Sequence, residues 1–127
     1  MVARYLGTAI VAGALALAST AALAQGDAAQ GEKVFNQCKA CHAVDEPQNK
    51  VGPHLVGVFG RAAGSVEDFR YSKALEESGI TWTEETIAEY VADPRGYIKG
   101  NRMAFAGVQK EEDIADLIAY LKEATAN

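Results

Sequence analysis

Two cysteines three positions apart, Cys38 and Cys41, are followed directly by His42. This Cys-x-x-Cys-His spacing is the one by which c-type haem is attached to a chain. Each thiol can add across a vinyl group to form a thioether, and the imidazole can then bind the iron as an axial ligand. The chain has only these two cysteines. The spacing therefore predicts one covalent haem c, held through Cys38 and Cys41, with His42 as a metal ligand.

Two other chemistries use cysteines at this spacing. A thioredoxin-like pair cycles between dithiol and disulfide, but it requires a strand before the pair within a βαβ unit. Here the pair follows a helix-like stretch, and the chain lacks strand-like alternation. A zinc site requires more ligands than Cys38, Cys41, His42 and the other histidine, His54, conveniently supply. Haem attachment is therefore the favoured interpretation.

The second axial position has one candidate thioether. A haem bound by one histidine is either five-coordinate and open to ligands, or six-coordinate through a second side chain. Met1 belongs to residues 1–24, which are predicted below to be a signal peptide. Its removal leaves Met103 as the only methionine of the mature chain. A methionine beside Ala104 and Phe105 would ordinarily fill a core. The attachment spacing makes Met103 a candidate ligand instead.

The first 24 residues have the pattern of a secretory signal peptide. Arg4 supplies a positive start, an apolar stretch follows, and Ala22-Leu23-Ala24 is a small-x-small cleavage site. We therefore expect residues 1–24 to be a signal peptide cleaved after Ala24, and residues 25–127 to be one domain in the periplasm, where haem c is assembled. The uncharged run is also long enough to span a bilayer, so an uncleaved anchor is the alternative.

The chain is acidic, with 12 Lys and Arg against 17 Asp and Glu and a net charge of −5. This balance disfavours nucleic acid as a partner. The charge is uneven, because the segment 94–110 contains no acidic residue. Its basic residues predict a positive surface on an acidic molecule: Arg95, Lys99, Arg102 and Lys110.

Hydrophobic periodicity and capping residues predict helices and no strands. The clearest helix spans 111–124, where Ile114, Leu117, Ile118 and Leu121 follow the i, i+3, i+4, i+7 pattern. Glycine and proline make 51–64 a loop, and 96–107 is also loop-like. The other predicted helices are one capped by Asp27 and ending near Cys38, one within 71–77, one capped by Thr81 or Thr83, and a short one opened by Asp93-Pro94.

Beyond the attachment site, several segments together resemble the class I cytochromes c, of the bacterial kind similar to the mitochondrial carrier. The resemblance spans nearly all of residues 25–127. The segments that carry it are Cys38-x-x-Cys41-His42, Val51-Gly52-Pro53, Gly57-Val58-Phe59-Gly60-Arg61, Gly79-Ile80-Thr81-Trp82, Tyr97-Ile98-x-Gly100, Met103-Ala104-Phe105-Ala106-Gly107 and Asp116-Leu117-Ile118-Ala119-Tyr120-Leu121. It implies an all-α, single-domain class I cytochrome c fold, with about four to five helices and long loops around one haem.

The resemblance also implies roles for individual residues. Met103 is the distal iron ligand, and the Pro53 carbonyl accepts a hydrogen bond from His42. Phe105 shields the distal side of the haem. Gly31 and Phe35 pack against the last helix, at Leu117, Tyr120 and Leu121. Donors to the haem propionates are Arg61, Tyr71 and Trp82, with Asn101 able to act in the same way.

His54 lies next to Pro53, which by the resemblance is on the His42 side of the ring. We therefore expect His54 to be a loop histidine and not a ligand. Two positions depart from the family pattern. Lys99 stands where proline is common, and Leu75 stands where many members have asparagine.

The function implied is that of a periplasmic one-electron carrier and not of an enzyme, because a six-coordinate iron has no open site. The expected partners are a quinol-oxidising membrane complex as donor and a terminal oxidase or photosynthetic reaction centre as acceptor. The chain is expected to act as a monomer without a small-molecule substrate. Two alternatives remain open: a shuttle anchored by an uncleaved N-terminus, and an open-iron haem peroxidase or gas sensor.

Overall fold

The computed structural model describes residues 25–126, together with Gly7 and Gly13 as isolated positions. The predicted signal peptide otherwise lies outside the described residues. Within 25–126, no helix combines the length and apolar character that a bilayer crossing requires.

Five helices make up the regular structure of the described chain, as the all-α prediction expected. No β-strand occurs in this part of the chain, although an isolated antiparallel bridge pairs Ala62 with Thr81. Each helix forms in a region where one was predicted, and the first ends slightly earlier than expected. The helices are α1 (Ala28–Phe35), α2 (Lys73–Glu76), α3 (Glu84–Ala92), α4 (Pro94–Tyr97) and α5 (Glu111–Ala124).

Side chains define where these helices begin. The Asp27 carboxylate accepts hydrogen bonds from the first amides of α1, and Asp93 does so at Gly96 in α4. At α3 the cap is Thr83 and not Thr81: Thr83 and Thr86 accept each other's backbone N–H in a capping box. These bonds satisfy amides that no helical carbonyl can reach.

The first and last helices pack directly on each other, as the family resemblance implies. A Cβ at Gly31 would overlap the carbonyl of Asp116, so only glycine permits this approach. Phe35 and Tyr120 stack with ring centroids 5.4 Å apart. Leu117 and Leu121 are buried beneath them. This pair forms one wall of the molecule, and the long loops 36–71 and 98–110 form the others.

Candidate haem site

The attachment segment continues from α1 as a single tight turn. The amides of Cys41 and His42 both donate to the carbonyl of Cys38, at 3.0 Å each. This turn places both thiols and the imidazole on the inner side of the chain, where all three line one cavity. Burial, and then the neighbouring Cys41, raise the pKa of the Cys38 thiol to about 11.

His42 is held by the loop that faces it. Its Nδ1 lies 2.7 Å from the carbonyl oxygen of Pro53. A carbonyl can only accept, so Nδ1 carries the proton and Nε2 carries the lone pair. A Cβ at Gly52 would overlap the imidazole, so glycine is required for the loop to lie against the ring. Burial and the nearby Arg61 lower the pKa of His42, against the Pro53 hydrogen bond, which raises it. The ring is therefore neutral and able to bind a metal through Nε2.

The cavity has a volume of about 520 Å3. All ten residues predicted to bind the cofactor line it: Cys38, Cys41, His42, Pro53, Arg61, Tyr71, Trp82, Asn101, Met103 and Phe105. They come from the attachment turn, the glycine-rich loop, the residues just before α2 and α3, and the loop after α4, which are far apart in sequence. The rest of the lining is mainly aliphatic and aromatic.

Two extended segments place Arg61 and Trp82 side by side. The Trp82 amide donates to the Arg61 carbonyl at 2.9 Å, and the Gly60 amide donates to the Trp82 carbonyl at 2.7 Å. The Arg61 guanidinium donates to the Val56 carbonyl at 3.2 Å. Its Nε is buried and has no partner among the described residues. A buried donor without an acceptor is costly, so this atom suits an anionic group in the cavity.

Met103 sits on a loop organised by Asn101. The Asn101 Oδ1 accepts from the Met103 amide at 2.8 Å, while its Nδ2 donates to the carbonyls of Pro94 at 2.7 Å and Ile98 at 2.9 Å. The loop is fixed at its far end by the Val108 amide, which donates to Val91 of α3 at 2.8 Å. Asn101 thus lines the cavity, but its side-chain amide is bonded to α4 and to the loop itself, and it orients the backbone of the methionine.

Tyr71 and His54 differ in how they relate to the cavity. Tyr71 lines the cavity, and its hydroxyl accepts a hydrogen bond from the Val66 amide at 3.1 Å. His54 does not line it, although its neighbour Pro53 does. The His54 amide donates to Asn49 at 3.0 Å, and its Nδ1 is enclosed without a partner in the described chain. His54 is therefore a loop histidine, as expected.

The residues present fit a haem. Two thiols and a neutral imidazole lie at one side, a thioether approaches on another loop, and a buried guanidinium nitrogen lacks an acceptor. The cavity has the size of a typical ligand pocket. Its lining is mostly apolar with a few polar groups, as is usual for such pockets. A second depression, of about 590 Å3, lies between the glycine-rich loop and the end of α5. No cysteine, histidine or methionine is among the described residues that line it.

Sequence reasoning missed several lining residues. Tyr90 of α3 lines the cavity, and burial raises its pKa to about 12. Its spacing of three from Ile87 indicated burial but not what it would contact. Leu75, which was singled out above only as a departure from the family pattern, also lines the cavity and is 9% exposed. Phe69 and Ser72 lie there too, and no sequence signal pointed to either.

Comparison with known proteins agrees with the geometry. The family model described as "Cytochrome c" matches residues 28–125. Cytochrome c2 of Blastochloris viridis is 52% identical over 111 residues, which cover 87% of each chain. Cytochrome c of Chlamydomonas reinhardtii is 50% identical over 103 residues, or 80% of this chain and 92% of that one.

A solved structure extends the likeness to the fold. Cytochrome cH from Methylobacterium extorquens superposes with a TM-score of 0.73 at 43% identity, and covers 77% of this chain and 99% of that one. These findings confirm the resemblance, together with its covalent haem c and its electron-transfer role. The chain therefore belongs to the cytochrome c family, as an electron-transfer protein with one haem c held through Cys38 and Cys41.

Proposed function

We propose that the chain is a periplasmic one-electron carrier in which His42 and Met103 are the axial ligands of the iron. The observation that carries this proposal is the convergence of both thiols, the His42 imidazole and the Met103 loop on one cavity. When bound, the haem supplies one-electron chemistry, because its iron cycles between Fe(III) and Fe(II).

His42 acts as a fixed and basic ligand. The Pro53 carbonyl holds the proton on Nδ1, so Nε2 keeps its lone pair directed away from the loop. The Gly52 backbone against the ring limits its rotation. Both contacts are made within the protein and hold the ring in place, which would limit rearrangement on this side when an electron moves.

Met103 would supply the second protein ligand of the iron. A thioether ligand favours the reduced iron and raises the reduction potential. The Asn101 side chain fixes the backbone of Met103, and the Val108 bond fixes the loop to α3. With both positions filled, the site has no place for a substrate.

The cavity wall excludes water. Trp82, Tyr90 and Leu75 are 8%, 9% and 9% exposed, and all three line the cavity. Low polarity disfavours the more highly charged oxidised state. Leu75 in particular presents an aliphatic side chain where many family members have asparagine, so this wall contributes no amide there.

Transient docking uses the basic surface formed by Arg95, Lys99, Arg102 and Lys110. All four residues are exposed. The two ion pairs in the described chain, Lys73–Glu77 and Lys122–Glu84, involve none of them. Arg102 also lines the cavity, so the basic surface adjoins the haem site. Charge placed there steers a partner with a negative face toward the redox centre.

The location and partners follow from the same proposal. Cleavage after Ala24 releases the domain into the periplasm. There it takes electrons from a quinol-oxidising membrane complex and gives them, as a monomer, to a terminal oxidase or photosynthetic reaction centre. The expected signal cleavage and haem attachment belong to one compartment, which supports this location.

Intact-mass analysis of the purified protein tests attachment and cleavage together. We expect the mass of residues 25–127 plus one haem, which resists extraction by acidified acetone. Replacing both cysteines, Cys38→Ala with Cys41→Ala, should make the haem extractable. A mass that includes residues 1–24 would support the anchored alternative, and extractable haem in the unaltered protein would contradict covalent attachment.

Electron-transfer kinetics with an isolated partner complex test the docking surface. Lys99→Glu should lower the second-order rate mainly through the association step, and the loss should fade as salt screens charges beyond about 8 Å. Glu123→Lys on α5 is the matched control and should have less effect. Rates that do not depend on ionic strength would contradict the proposed surface.

A further inference from the structure

The predicted cleavage site lies directly before the first residues that pack on the fold. The bond expected to be cut joins Ala24 to Gln25, and Gln25 is exposed. Gly26 is less exposed, and a Cβ there would overlap the carbonyl group of Ala115 in α5. The backbone of Gly26 therefore lies directly against the backbone of α5, and Gln25 is the only residue between this contact and the predicted cut.

Hydrogen bonds fix the residue that follows Gly26. The Asp27 amide donates to the Asp116 carboxylate of α5 at 2.7 Å, and hydrogen bonds to a charged acceptor are among the stronger ones. The Asp27 side chain caps α1, and its carbonyl accepts from the Gly31 amide at 2.9 Å. Asp27 thus bonds through its amide, its side chain and its carbonyl at once. We call the contacts of Gly26 and Asp27 with α5 the N-terminal clasp.

The N-terminal clasp holds residues that a peptidase would have to bind. A peptidase binds residues on both sides of the bond that it cuts, and it binds them in an extended form. Folded proteins are therefore cut at exposed and loosely held segments, or after local unfolding. For Gln25, Gly26 and Asp27 to enter a peptidase cleft together, the clasp would have to open. Opening breaks the Asp27–Asp116 hydrogen bond and separates Gly26 from α5, so it costs free energy in the folded domain.

The two halves of the N-terminal clasp reach the periplasm at different times. Asp27 and Asp116 are 89 residues apart in the chain. While an exported chain is still emerging from the membrane, Asp27 is outside before Asp116 has followed, so the clasp cannot form and the bond after Ala24 is accessible. The clasp becomes possible only when α5 has arrived and packs on α1.

We propose that the N-terminal clasp blocks the access of signal peptidase to the Ala24–Gln25 bond once the domain has folded. This inference rests on the proposed signal cleavage after Ala24. The reaction is a hydrolysis: water breaks the peptide bond, the carboxylate stays on Ala24 and the amine on Gln25. Cleavage must therefore precede folding around the haem. A chain that folds first keeps residues 1–24, so the order of the two events decides between a released and an anchored carrier.

Cleavage of folded precursors by purified signal peptidase tests the N-terminal clasp. Two precursors are produced in cells whose signal peptidase is inhibited, and each is purified with its haem attached. One is the unaltered chain. The other has Gly-Ser-Gly-Ser inserted between Gln25 and Gly26, which moves the clasp away from the bond but leaves residues 22–25 and the glycine after them unchanged. Followed by intact mass, the unaltered precursor should be cut roughly tenfold more slowly, because the clasp must open first.

Single substitutions in α5 locate the effect. Asp116→Ala removes the acceptor of the Asp27 amide and should speed cleavage of the folded precursor. Asp113→Ala is the matched control, because it removes a carboxylate from the same helix and should leave the rate unchanged. If Asp116→Ala does not fold, the insertion still tests the clasp.

The outcomes separate this inference from the cleavage on which it rests. Equal rates for the unaltered and the extended precursor would overturn the inference and leave signal cleavage after Ala24 intact. If neither precursor is cut after Ala24, the proposed cleavage is wrong and the inference fails with it.

Discussion

On one side of the cavity, His42 is fixed through its own ring, by the Pro53 carbonyl and by the backbone of Gly52. On the other side, the contacts that fix Met103 act on its backbone, through Asn101 and the anchored end of the loop. The contacts to the imidazole fix the direction of the His42 Nε2 atom. The contacts to the Met103 backbone fix the position of its Cα but leave the side chain free to choose its rotamer. We infer that the histidine side of the cavity is the more rigid of the two. Changes of pH and mutations should therefore affect the methionine side more.

The largest effect is expected from His42→Ala. This change removes the imidazole and leaves the Pro53 carbonyl without its donor, while the two thioethers still hold the haem. We expect loss of stable six-coordinate haem and a lower unfolding temperature, measured by visible spectroscopy during heating. A spectrum that matches the unaltered protein would contradict the assignment of His42.

Met103→Ala should have a smaller structural effect and a large redox effect. Truncating a partly buried methionine costs about 2–5 kcal/mol of stability. Loss of the thioether opens an axial position, so we expect a lower reduction potential and binding of carbon monoxide, followed by spectroelectrochemistry and difference spectra. An unchanged potential would mean that Met103 only fills the core.

Gly107→Ala tests whether the methionine side depends on its anchored end. Gly107 has φ of 121°, and a Cβ there would lie 2.6 Å from the carbonyl oxygen of Ala92. We expect destabilisation of about 3 kcal/mol by denaturant unfolding. Gly57→Ala is the control, because Gly57 has φ of 68° and open space around it. Its cost should be about 1–2 kcal/mol, from backbone conformation alone. Equal costs would show that the close approach at Gly107 does not matter.

The smallest effect on the ligand is expected from Asn101→Ala, which removes the hydrogen bond to the Met103 amide and those to the carbonyls of Pro94 and Ile98. Loss of the bond to the Met103 amide alone is worth about 1.4 kcal/mol, which corresponds to about 1 pH unit. We therefore expect the thioether–iron absorption band to disappear at a lower pH in an alkaline titration. Asn49→Ala is the matched control on the histidine side, where Asn49 accepts from the His54 amide. An equal shift in both variants would remove the distinction between the two sides.

Much of this arrangement could be predicted from the sequence. The attachment spacing, the capping residues and the apolar pattern of α5 are local signals that indicate the cofactor and the helices, whereas the α1–α5 contact was implied only by the family resemblance. The use of the Asn101 amide could not be predicted, because it depends on the path of a loop that has no periodicity. The contact of Tyr90 with the cavity depends on how α3 is rotated against the rest of the fold. The pairing of Arg61 with Trp82 likewise requires two distant segments to meet.

The most direct test of the ligand assignment is proton NMR of the reduced holoprotein and of Met103→Ala. A methionine bound to haem iron lies over the ring, whose current shifts the methionine methyl resonance far upfield. The account predicts one such upfield methyl signal in the unaltered protein and none in the variant. An unaltered protein without this signal, or a variant that keeps it, would contradict His42 and Met103 as the axial pair.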